Sequence, residues 1–212
     1  MRQVIIVEGS NYCGKTTITD LLKQQITGAI VLETHDYYHK HILLESPHLV
    51  KNLVSQDDFK NINQIALEKA ENYINKRNEI VYDVVEKLPY DNIIIERSFL
   101  TQMVYRHLLF DNKNHKDLKQ LIEKYVFYNA KLILVTASSE TLKKRICFDN
   151  PKLLFRKASH IPYHLNTTDI LIKKNTLYNY YFDRLENIQK YKIDTTTIDI
   201  ENLTQKILDI IK

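Results

Sequence analysis

Residues 9–17 read Gly9-Ser10-Asn11-Tyr12-Cys13-Gly14-Lys15-Thr16-Thr17, and they hold two of the three glycines in a 212-residue chain. This is the pattern G-x-x-x-x-G-K-[ST] at every fixed position. Its chemistry is the binding of phosphate oxygens. Glycines let backbone N–H groups turn inward around an anion without Cβ interference. Lys15 can reach the β- and γ-phosphates of a nucleotide, and the Thr16 hydroxyl can ligate Mg²⁺. The flanks suit the motif. Val4-Ile5-Ile6-Val7 predicts a buried strand before it. Ile18, Leu21, Leu22 and Ile26 predict a helix after it, whose N-terminus adds partial positive charge.

A second group with chemical potential is Glu96-Arg97-Ser98. It follows Asn92-Ile93-Ile94-Ile95, an apolar run that reads as a strand buried on both faces. Ligands of such sheets bind beyond the strand C-termini, so this pair is expected to face the same crevice as the phosphate loop. There Glu96 can hold Mg²⁺, and Arg97 can bridge donor and acceptor phosphates. The bland reading is a salt bridge at a strand end. Tyr105, two turns further on, either stacks on a base or packs beneath its helix.

The elements that must position these groups alternate between strand and helix. Strands are predicted near 3–7, 29–32, 92–95, 131–135 and 191–194, the last with a possible extension to 200. Helices are predicted near 15–26, 58–78, 98–110, 116–128, from Ser138 or Ser139 through Cys147, 167–190 and 201–211. Residues 148–165 carry Pro151 and Pro162 and read as irregular. Alternating β and α with apolar strands predicts an α/β three-layer sandwich, a five-stranded parallel sheet covered by helices on both faces. Neither repeats nor linkers interrupt residues 1–212, so one domain is expected.

Composition narrows the function classes. The net charge of +4 suits an anionic small molecule and is too weak to argue for nucleic acid. Two cysteines, Cys13 and Cys147, make no disulfide framework and point to a reducing, cytoplasmic setting. The first strand begins at residue 3, which predicts no signal segment, and no apolar run approaches membrane-spanning length. Histidines 35, 39, 41 and 48 match no standard zinc spacing.

The string Glu96-Arg97-Ser98-Phe99-Leu100-Thr101-Gln102-Met103-Val104-Tyr105 resembles the D-R-Y-x-x-S-x-x-A-Y segment of thymidylate kinases. It is also similar to the E-R-S segment of deoxynucleoside kinases. The phosphate loop leans toward the first group, which reads E-G-x-D-x-x-G-K-[ST]-T, with Asn11 here in place of the Asp that contacts the acceptor sugar. The resemblance implies a P-loop kinase domain using Mg²⁺ and ATP on small-molecule nucleotide substrates, with a homodimer left open.

It also implies a lid over ATP near 148–165. Arg145, in Leu142-Lys143-Lys144-Arg145, matches the family's L-x-x-R helix, and Arg156 falls in the lid. Both arginines would then bind ATP, and Arg145 would act on the transferring phosphoryl group with Lys15 and Arg97. The acceptor side divides. Thymidylate kinases usually carry an arginine after the second strand, yet no arginine occurs between Arg2 and Arg77. Deoxynucleoside kinases have a carboxylate base there, a role open to Glu33 or Asp36. The expected reaction is phosphoryl transfer to a deoxynucleoside monophosphate, with dTMP first among them. A deoxynucleoside kinase, a polynucleotide 5′-kinase and a non-catalytic nucleotide-binding module are the alternatives.

Overall fold

The computed structural model describes residues 3–33, 82–146 apart from 84 and 88, and 168–212. The helix expected over 58–78, the segment 148–165, Asp36 and Arg156 lie outside the described residues. Five strands, β1 (Gln3–Glu8), β2 (Ile30–Glu33), β3 (Asn92–Glu96), β4 (Lys131–Thr136) and β5 (Gln189–Asp194), form one sheet. Their order is β2-β3-β1-β4-β5, and every pair is parallel. Helices among the described residues include α1 (Lys15–Gln25), α2 (Phe99–Phe110), α3 (Lys119–Phe127), α4 (Thr168–Arg184) and α5 (Ile200–Ile211). Residues 139–146 are also helical.

Strand alternation explains the two cores. Val4, Ile6, Ile93, Ile95, Leu132 and Leu134 pack with α2, α3 and α4 on one face. Ile5, Val7, Ile94, Ile133, Val135 and Ile193 pack with α1 and α5 on the other. Both faces are dry, so the central strands read as unbroken apolar runs. The three-layer α/β sandwich with a five-stranded parallel sheet stands as expected. No helix among the described residues is long and apolar enough to cross a membrane.

One boundary differs from the helical spacing. The helix expected to reach 190 stops at Arg184, and β5 starts at Gln189. Leu185 and Ile188 still bury against the core, but they do so from a turn. Asn187 takes a left-handed φ of 62° there. The Lys190 amine donates to the carbonyls of Phe182 (3.0 Å), Asp183 (3.3 Å) and Leu185 (2.7 Å), adding to the Leu185 N–H that bonds the Phe182 carbonyl at 3.2 Å. The end of α5 is closed similarly, by Lys131 Nζ on the Ile210 carbonyl and Gln3 Nε2 on that of Ile211.

β1 leaves the sheet at Gly9, with φ 144°, and passes so close to β4 that a Cβ there would strike the Val135 carbonyl. Neither the backbone conformation nor the space admits a side chain. Gly9→Ala is therefore expected to destabilise the fold by about 2 kcal/mol or more, given strain costs of about 1–3 kcal/mol per such residue. Urea unfolding checks this; a change below about 0.5 kcal/mol would contradict the packing of β1 on β4.

Candidate active site

The phosphate loop joins the C-terminal end of β1 to α1. Gly14 caps α1 with φ 90°, and Tyr12 also takes a left-handed φ of 65°. Lys15 is buried, and its ammonium donates to the Ser10 carbonyl at 2.9 Å, so it lies folded across the loop. Burial pushes the Lys15 amine down to about 7, and the nearby Arg97 charge adds to the effect, while Glu96 and Glu8 oppose it. Thr16 and Thr17 are exposed in the first turn of α1.

Glu8, immediately before the loop, has no solvent exposure. Its carboxylate accepts from Ser98 N (2.7 Å), Thr101 N (3.2 Å) and Thr101 Oγ1 (2.5 Å). These donors lie in the first turn of α2, where a carboxylate satisfies orphan N–H groups and meets the positive end of the helix dipole. Burial pushes the Glu8 carboxyl up, against the hydrogen bonds from Thr101 and Ser98 and the charge of Arg97.

Glu96 and Arg97 stand at the tip of β3, as the sequence placed them. Arg97 adopts φ 68° and donates its backbone N–H to Val7 O at 2.9 Å. Its guanidinium reaches the phosphate loop, with Nη2 2.6 Å from Asn11 Oδ1, and Nη1 is 3.4 Å from the Tyr178 hydroxyl. Tyr178 also meets Thr101 Oγ1 at 2.8 Å. Thr19 Oγ1 lies 3.5 Å from Glu96 Oε2, which links α1 to the same group. Lys15, Asn11, Glu96 and Arg97 thus converge at the ends of β1 and β3.

The resemblance implies that Arg145 binds ATP and acts on the transferring phosphoryl group. In the structure its guanidinium bonds the Tyr12 carbonyl (2.8 Å), Thr195 Oγ1 (3.0 Å) and the Thr195 carbonyl (2.7 Å). It lines a cavity of about 720 Å³ beside the loop, with Tyr12, Lys15, Thr16, Lys144 and Thr195. Cys13 is buried, its thiol 3.6 Å from Asn175 Oδ1. Its neighbours make it a packed part of the loop.

On the edge strand, Glu33 ends β2 in register with Glu96. Tyr105 is 3% exposed, and its hydroxyl accepts from Lys174 Nζ at 3.3 Å. The Lys174 ammonium also lies 4.9 Å from the Tyr105 ring centre. Sequence reasoning assigned no role to Lys174, Tyr178 or Thr195. The first two sit at helical spacing among apolar core residues of α4, and the third directly follows β5.

The described residues include no group of three or more His, Cys, Asp or Glu side chains suited to a metal. Mg²⁺ does not need one. It takes one or two carboxylates, phosphate oxygens and waters, and Thr16 and Glu96 offer hard oxygen donors of that kind.

No protein-family model matches the chain, and no curated protein matches it in sequence. Solved structures do match. The YorR protein from Bacillus subtilis, solved in complex with phosphorylated GDP, superposes with a TM-score of 0.59 at 18% identity, covering 98% of this chain and 95% of that one. Deoxyadenosine kinase from M. mycoides, with dCMP and dCDP bound, gives 0.60 at 15% identity and 97% of each chain. Thymidylate kinase from Candida albicans gives 0.51 at 13% identity, covering 99% of this chain and 91% of that one. The fold is that of the P-loop kinases.

The depressed Lys15 amine has a measurable consequence. Above pH 7 a growing fraction is neutral in the free protein, and a bound polyphosphate favours the charged form. ATP binding at pH 8 should therefore take up a fraction of a proton per site. Calorimetry in two buffers of different ionisation enthalpy measures this. Uptake in the parent that vanishes in Lys15→Ala is the expected result; equal heats in both buffers for the parent would contradict it.

Proposed function

We propose that the protein is a Mg²⁺- and ATP-dependent kinase whose acceptor is a deoxynucleoside monophosphate, with dTMP the first candidate. The observation that carries the reading is the convergence of Lys15 and Arg97 on one loop, with the Arg97 guanidinium 2.6 Å from Asn11. Two cations at the end of a parallel sheet suit a reaction in which charge builds on a phosphoryl group in flight. The acceptor phosphate attacks the γ-phosphorus in line. The γ-phosphorus–oxygen bond to ADP breaks, and ADP leaves with that electron pair. Lys15 neutralises the β- and γ-oxygens. Arg97, fixed by Val7, Asn11 and Tyr178, sits between donor and acceptor. Thr16 and Glu96 would hold Mg²⁺, which supplies further charge neutralisation when bound. Arg145 contributes as a wall of the nucleotide pocket and as an anchor of the loop.

A second reading, a deoxynucleoside kinase, is favoured by one observation. Glu33 stands in register with Glu96 at the edge where the acceptor would lie, and it is a carboxylate of the kind a 5′-hydroxyl acceptor needs as base. A monophosphate acceptor is already ionised and needs none.

Activity measured with each deoxynucleoside and each monophosphate as acceptor separates the two. Under the first reading monophosphates turn over, and Glu33→Gln costs less than about tenfold in kcat. A loss of about 10²–10⁴, the usual worth of a general base, together with turnover of nucleosides alone, selects the second. Lys15→Ala is expected to cost about 3 kcal/mol or more in transition-state stabilisation under either reading. Arg97→Ala should lower kcat more than it raises KM for ATP. Near-parental rates in both variants would sink the kinase assignment.

A further inference from the structure

We infer that Thr195 and Arg145 are positioning residues that aim two backbone N–H groups of the loop, those of Cys13 and Gly14, at the polyphosphate. The inference rests on the loop binding a nucleotide and assigns the work of orienting it to two side chains outside the loop.

A trans peptide is planar. The chain has no cis peptide bond among its described residues, so the C=O and N–H of each peptide point in opposite directions. The Tyr12 carbonyl shares its peptide with the Cys13 N–H. That carbonyl is held by Arg145 Nη1 at 2.8 Å. The Cys13 carbonyl shares its peptide with the Gly14 N–H. It is held by Thr195 Oγ1 at 2.8 Å. Both carbonyls are thus drawn to the same side, toward β5 and the helical residues 139–146. Both N–H groups must face the opposite side. Among the described residues, neither N–H has a protein acceptor. Adjacent, parallel and unsatisfied N–H groups before a helix N-terminus form an anion nest.

The anchors are themselves fixed. Thr195 is 7% exposed, and its backbone N–H donates to the Thr136 carbonyl at 2.9 Å. Its hydroxyl also lies 3.1 Å from that carbonyl and accepts from Arg145 Nη1 at 3.0 Å. Arg145 Nη2 holds the Thr195 carbonyl at 2.7 Å, so the two anchors are joined. The strain fits the same picture. Tyr12 is held at φ 65°, a conformation that costs a non-glycine residue free energy, and Arg145 grips the carbonyl of that residue.

The test is the affinity for ATP, ADP and AMP, read by calorimetry or competition, in the parent, Thr195→Val and Thr195→Ser. Valine keeps the shape and removes the hydroxyl; serine restores it. The expected result is a loss of tenfold or more for ATP and ADP in Thr195→Val, a loss below threefold for AMP, and recovery to within threefold in Thr195→Ser. A loss equal for AMP and ATP would mean that Thr195 only shapes the nucleoside pocket, and unchanged ATP affinity would mean that the anchor is idle; either overturns the inference and leaves the kinase reading standing. A parent that binds none of the three overturns both. Should Thr195→Val fail to fold, Arg145→Met carries the same expectation through Tyr12, with the same AMP comparison deciding it.

Discussion

The site depends on one buried carboxylate. Glu8 ends β1, touches no solvent, and takes three hydrogen bonds from the first turn of α2. A buried acceptor of that kind is costly if its donors are lost, about 1–3 kcal/mol and more for a charged group. Those same donors are the orphan N–H groups of a helix end, equally costly alone. Each side needs the other, and the bond fixes where α2 starts. Arg97, one residue before Ser98, is thereby delivered to the phosphate loop that begins one residue after Glu8. The loop and the arginine are two ends of a single tie.

Strain and its compensation follow from this tie. Tyr12 and Arg97 both hold left-handed backbone angles in the absence of glycine. Each is fixed by bonds on both sides of the residue or through its side chain: Arg97 by Val7, Asn11 and Tyr178, Tyr12 by Arg145. Strained residues that their surroundings over-determine cluster at functional sites. Here they sit at the ends of β1 and β3, the edge of a parallel sheet where ligands are received. The rigid sheet below, dry on both faces, is what lets such angles persist.

Much of this was legible in the residues. Unbroken apolar runs such as Ile93-Ile94-Ile95 gave away strands buried on two faces, and the loop from Gly9 to Thr17 declared its chemistry through glycine spacing. Glu96 and Arg97 were readable because a charged pair at the end of such a run has few other places to go. What escaped had no local signature. Tyr178 and Lys174 share α4 with Leu171, Leu177 and Phe182, and helical periodicity cannot separate a polar tip in a core stripe from the stripe itself. Thr195 is one of three consecutive threonines, and only the packing of β5 beside β4 selects it. The end of α4 was misjudged because Leu185 and Ile188 keep the helical beat while Asn187 turns the chain. Arg145 was found by pattern, yet its partners, Tyr12 and Thr195, come from 133 and 50 residues away. Such distant partners define a role that no window of sequence contains.

The central claim is that this crevice moves the γ-phosphoryl group of ATP to an acceptor instead of merely holding a nucleotide. Phosphorus NMR of the protein with Mg²⁺, ATP and a mixture of deoxynucleoside monophosphates tests it most directly. The account predicts that the γ signal disappears as a new β-phosphate resonance of a deoxynucleoside diphosphate grows at the same rate, with ADP as co-product. Bound ATP whose γ signal persists, or inorganic phosphate released at one rate whatever nucleoside or monophosphate is added, would contradict it.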